Sequence, residues 1–110
     1  MLNIEFQGRQ IALDEGYIFK LNDWSEDLAS YLATGDGITL TETHWEVIRF
    51  LRDYYRKYQI APTIQVLAKE IRKVLGPEKG TMKYLHQLFP GGPAAQACRY
   101  AGLPKPTGCV

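Results

Sequence analysis

TETHWEVIRFLRDYYRKYQIAPTIQVLAKEIRKVL, residues 41–75, holds two amphipathic segments broken at Ala61-Pro62-Thr63. In the first, Trp45, Ile48, Leu51, Tyr55 and Tyr58 recur at helical spacing and predict a helix running to about Tyr58. Thr41 suits its N-cap, and Leu40 stands before that cap with Trp45 four positions into the helix, the spacing of a hydrophobic staple. Proline disfavours helix in the residue before it, so Ala61 ends the segment and Thr63 caps the next. The second face is Ile64, Leu67, Ala68, Ile71, Val74 and Leu75, and Gly76-Pro77 stops it. The pair predicts a helical protein with a helix-turn-helix-like unit near its centre.

Working outward, residues 2–19 alternate around Gln7-Gly8 with Ile4, Phe6, Ile11 and Leu13 as the apolar set, which reads as a β-hairpin. Tyr17-Ile18-Phe19 offers a third strand. From Asn22, the spacing of Trp24, Leu28, Tyr31 and Leu32 predicts a helix that Gly35-Asp36-Gly37 ends. On the other side, Thr81 to Phe89 forms a shorter helix burying Met82, Leu85 and Leu88. Pro93 then opens a last helix, AAQACRYA, ended by Gly102. The remainder, LPKPTGCV, has two prolines that favour extended backbone and a glycine that loosens it, so it reads as an arm. The expectation is one domain over 1–110, mainly α with about five helices: a hairpin region at 2–19, a bundle at 22–102 and a mobile C-terminal arm at 103–110.

A chain of 110 residues, 45% hydrophobic, suffices for one core. No run of 18 apolar residues exists and MLNIEFQGRQ lacks the pattern of a secretory signal, which leads us to expect a soluble cytoplasmic protein. Two cysteines are too few for a disulfide scaffold or, alone, for a structural zinc. The net charge of +1 hides a balance of −7 over residues 1–48 and +8 over residues 49–110. Such a basic half suits an anionic partner, whether nucleic acid, an acidic protein face or a small anion, and is equally compatible with a dipolar surface that binds nothing.

Cys98 lies on the last helix and Cys109 on the arm. Extended, the eleven steps between them span roughly 35–40 Å, enough for Cys109 to enter a deep cavity in another protein. Folded back, they close a loop at an entropy cost of about 3 kcal/mol. Two accessible states are what a redox switch requires. For Cys98 a packed core thiol is an equal alternative, whereas Cys109 on such a tail has no packing to do. Arg99 and Lys105 would lower the Cys109 thiol pKa with the arm folded back, and the terminal carboxylate of Val110 acts oppositely.

Other constellations are weaker. Arg49, Arg52, Arg56, Lys57, Lys69, Arg72, Lys73 and Lys79 on the central helix pair and just beyond it suggest docking on DNA, but Glu70 interrupts them and the pI near 7.8 is low for a nucleic-acid binder. His44 and His86 have no partner at ligand spacing and read as ordinary packing or surface residues. Phe50, Tyr54, Tyr55 and Tyr58 form an aromatic stripe assigned to packing. Neither a metal nor a cofactor is expected.

The segments KYLHQLFPGGPAAQACRYAGLPKPTGCV, THWEVIRFLRDYYRKYQIAPTIQVL and EGYIFKLNDWSEDLA closely resemble the DsrC family, the gamma subunit of dissimilatory sulfite reductase, whose TusE branch relays sulfur for tRNA thiolation with only the penultimate cysteine. The resemblance covers almost the whole chain. It implies an orthogonal helical bundle with a small N-terminal hairpin, and Cys109 as the sulfur-accepting thiol carried to a siroheme enzyme. Cys98 would then close a disulfide or trisulfide that a membrane-bound electron-transfer complex reduces. The presence of both cysteines matches the sulfite-reductase partners; the alternatives are a persulfide relay among sulfurtransferases and a DNA-binding regulator. The free protein is expected to be a monomer that does not insert into membrane. Ala95 departs from the family, many of whose members carry lysine there, so the charge beside Cys98 rests more on Arg99 and Lys105.

Overall fold

The computed structural model describes residues 1–105. Strands β1 (Leu2–Phe6), β2 (Arg9–Asp14) and β3 (Tyr17–Ile18) form one antiparallel sheet in that order. Ile4 pairs with Ile11 and Leu13 with Ile18, so the apolar residues share the inner face. Gln7 and Gly8 both take positive φ, 52° and 78°, as the tight turn between right-twisted strands demands.

A 3-10 turn at Leu21–Asp23 precedes α1 (Glu26–Gly35), whose N-cap Ser25 accepts from the Leu28 amide at 3.1 Å. The predicted helix from Asn22 therefore starts later, because Trp24 and Ser25 are extended. Then follow α2 (Glu42–Tyr58), α3 (Ile64–Leu75), a 3-10 turn at Pro77–Gly80, α4 (Met82–Leu88) and α5 (Pro93–Ala101). Among the described residues, five helices and a small sheet make the orthogonal bundle that the resemblance implies. Among the described residues no helix is long and apolar enough to cross a membrane.

The core gathers Ile11, Leu28, Ile48, Leu51, Leu67, Ile71, Leu85, Phe89 and Tyr100, each fully buried. Burial departs from the predicted faces at their ends. On α2 the buried set is His44, Val47, Ile48 and Leu51, while Tyr58 is exposed, because the helix outruns the domain it packs on. Val74 on α3 and Met82 on α4 are exposed for the same reason, at terminal turns. Leu103, assigned above to the arm, is only 2% exposed, which moves the anchored part of the chain past Gly102. Its isobutyl group finds room in the core, and burying such a side chain is worth roughly 1.5–3 kcal/mol.

Candidate functional site

Cys98 sits in the last turn of α5 and is fully buried within the core. This is the placement of a packed core thiol, the alternative set beside the redox role above. Cys109 lies outside the described residues.

The end of α5 is built with unusual completeness. A helix leaves its last carbonyls without partners inside the helix. Here Gly102 adopts φ 75°, its amide donates to Arg99 O at 3.4 Å, and the Leu103 amide donates to Cys98 O at 3.0 Å. This is the paired C-terminal closure that a left-handed residue permits. The two carbonyls still open are met from elsewhere: Trp24 Nε1 donates to Tyr100 O at 2.7 Å and Arg52 Nη1 to Ala101 O at 2.7 Å. The Arg52 guanidinium lies 3.7 Å from the centre of the Trp24 ring, a cation–π contact, and burial lowers its pKa. A β-carbon on Gly102 would strike the Trp24 side chain, so glycine is required there twice over.

The cations expected to support the thiols meet carboxylates. Arg99 Nη1 contacts both oxygens of Asp36, at 2.9 and 2.7 Å, and Lys105 Nζ lies 3.4 Å from Glu15 across an exposed gap. Arg99 Nε is buried without an acceptor among the described residues. Asp36 also accepts from the Tyr100 hydroxyl at 2.7 Å, and burial first, then that bond, pushes the Tyr100 pKa well above the ordinary phenol value. Glu15, Tyr17, Asp36, Ala95, Gln96 and Arg99 line an open cleft of about 400 Å³ beside α5.

The remaining candidates resolve differently. His44 accepts from the Thr41 amide at 3.1 Å through Nδ1 and its Nε2 lies 2.8 Å from Leu88 O, tying the start of α2 to the end of α4 as a packing residue. His86 bonds Met82 O, one turn back on its own helix. Among the described residues no group of acidic, histidine or cysteine side chains is arranged to hold a metal. Seven of the eight cations considered for DNA are engaged within the chain: Arg49 with Glu42, Arg52 as above, Arg56 with Asp53, Lys57 over the Tyr58 ring, Arg72 with Gly80 O, Lys73 with Glu70 and Lys79 with Glu46. Phe50, Tyr54 and Tyr58 form a surface ladder along α2, with successive centroids 6.0 and 4.6 Å apart.

Sequence reasoning missed Trp24, Arg52, Asp36 and Tyr100 as parts of one assembly. Trp24 was placed on the periodic face of the first helix, Arg52 among the DNA cations and Asp36 in a helix stop; separations of up to 76 residues carry no spacing signal.

Fold and site together define a small helical protein whose last helix carries a buried cysteine at the root of its C-terminal segment. The family of DsrC-like proteins matches residues 5–110, and the chain belongs to that family. It is 51% identical over 108 residues to the sulfurtransferase TusE of Yersinia pestis, covering 97% of this chain and 99% of the relative. It superposes on the solution structure of Allochromatium vinosum DsrC with a TM-score of 0.89 at 59% identity, covering 98% of this chain and 97% of the other. The crystal structure of the oxidised gamma subunit of dissimilatory sulfite reductase from Archaeoglobus fulgidus gives 0.87 at 44%, covering 99% and 100%.

Proposed function

We propose that the protein is a sulfur carrier of a sulfurtransferase relay, with Cys109 as the thiol that receives and hands on sulfane sulfur. The observation that carries this reading is the anchored end of α5, whose buried Leu103 stands six positions before Cys109. The Cys109 thiolate attacks the outer sulfur of a donor persulfide, the donor leaves as its thiol, and Cys109 holds the persulfide. An acceptor nucleophile then takes that sulfur and Cys109 returns to the thiol. Sulfurtransferases are the partners on both sides, and the roughly half-identical TusE relatives favour a client such as tRNA thiolation.

A second client is favoured by a specific residue. Cys98 suits a cycle in which its thiolate attacks the inner sulfur of the Cys109 persulfide, forms the Cys98–Cys109 disulfide and expels hydrosulfide. This is the co-substrate role beside a siroheme sulfite reductase, with a membrane electron-transfer complex returning the two electrons. The gamma-subunit likeness supports it. Arg99 and Lys105 steady the charge near α5 in either case, and nucleic acid is not part of this reading.

Incubation with polysulfide should raise the protein mass by one or two sulfurs, and Cys109→Ala should abolish the gain. Normal uptake by that variant removes Cys109 as carrier. Cys98→Ala separates the clients: a relay keeps its transfer rate, whereas the two-cysteine cycle stalls at a mixed species.

A further inference from the structure

We propose that Trp24 and Arg52 are positioning residues for the carrier cysteine, holding the last turn of α5 so that the C-terminal segment leaves the fold at Leu103, within about one turn of Cys98. The proposal rests on the reading of Cys109 as carrier. Its physical content is separate.

All four carbonyls from Cys98 to Ala101 are bonded, two by the backbone that follows and two by side chains from distant elements. Tyr100 and Ala101 are fully buried, so solvent does not reach their carbonyls and the Trp24 and Arg52 side chains are the donors that meet them. The Arg52 charge also sits at the negative end of the α5 dipole, where a cation is favourable. Because Arg52 stacks on Trp24 and Trp24 abuts Gly102, loss of either residue loosens the other's hold. With the clamp closed, chain leaves from a fixed point, and six steps from Leu103 to Cys109 reach roughly 20–22 Å. That is well short of the span counted from Cys98, so any partner centre must lie within that depth of the α5 end.

The clamp also favours the meeting of the two thiols. Only six residues then need ordering to bring Cys109 to Cys98, against eleven when the last turn is released. The dependence of loop closure on length makes this roughly a 2.5-fold difference in closing probability.

The test is the equilibrium with glutathione, in which the two protein thiols and one oxidised glutathione give the Cys98–Cys109 disulfide and two reduced glutathiones. Two electrons and two protons pass to glutathione. Trp24→Phe and Arg52→Gln should lower this closing constant about two- to threefold, while polysulfide loading of Cys109 proceeds at the wild-type rate. Amide hydrogen exchange of Leu103 should accelerate at least about tenfold in both, and Arg52→Lys, which keeps a donor, should recover part of the loss. An unchanged closing constant together with unchanged Leu103 exchange in the folded variants overturns the proposal. Should the variants not fold, wild-type exchange decides: a protected Leu103 amide supports the clamp and an unprotected one refutes it. If wild type neither loads sulfur nor closes a disulfide, the carrier reading fails, and Leu103 exchange still reports on the clamp.

Discussion

Helices α2 and α5 both end in a left-handed residue, Gln59 at φ 60° and Gly102 at φ 75°, yet the two ends are finished by different means. The end of α2 caps itself: the Gln59 amide donates to Tyr55 O at 2.7 Å, and its side chain reaches Tyr55 O and Arg56 O at 3.2 Å each. The next residue, Ile60, is 60% exposed. The end of α5 is capped by Trp24 and Arg52 from other elements, and the residue after Gly102 is buried. A helix stopped locally releases its chain in no particular direction. One stopped by tertiary contacts fixes where the following chain begins, which matters when that chain carries the reactive thiol.

The largest expected effect that would sharpen this contrast is at Gly102. Gly102→Ala places a β-carbon on a positive-φ residue and against Trp24, and should cost roughly 2–4 kcal/mol in urea unfolding. A cost no greater than that of a change at Gln59 would break the comparison.

Tyr100→Phe should cost about 1 kcal/mol near neutral pH by leaving Asp36 one donor short. The same residue sets a pH signature. Its pKa is raised in the folded state above the ordinary value of 10.0, so its contribution is fully present below pH 10 and is lost as the unfolded chain ionises first at higher pH. Wild-type stability should therefore fall more steeply than that of Tyr100→Phe when unfolding is followed from pH 9 to 11. Parallel curves would show that the phenol is not held in its neutral form by the fold.

The smallest effect belongs to α2. Gln59→Gly removes two exposed side-chain bonds and relieves the positive φ, and should leave stability within roughly 0.5 kcal/mol of wild type in the same assay. A large loss would mean that this end is also held from afar.

Local chemistry made much of the fold legible. Thr63 caps α3 where the residues suggested, and Pro93 and Gly102 bound α5. The paired cysteines and the sequence around them pointed to the family. The same reasoning erred where burial decides. The periodicity of α2 marks a face but not which turns of it find a neighbour, so Tyr58 was assigned to the core and is exposed. Leu103 stands between Gly102 and Pro104 and read as the start of a loose tail, although its side chain is buried.

By itself, then, the sequence determined the elements, their order and the two thiols, because capping, proline, glycine and apolar spacing act within a few residues of one another. Only the tertiary structure decided that Trp24, Arg52 and the end of α5 form one unit, that Arg99 and Tyr100 share Asp36, and that the basic residues of α2 and α3 are largely engaged within the chain. The physical reason is that a hydrogen bond or an ion pair is set by position in space. Residues 49 or 76 positions apart come within 2.7 Å only after the core between them has packed.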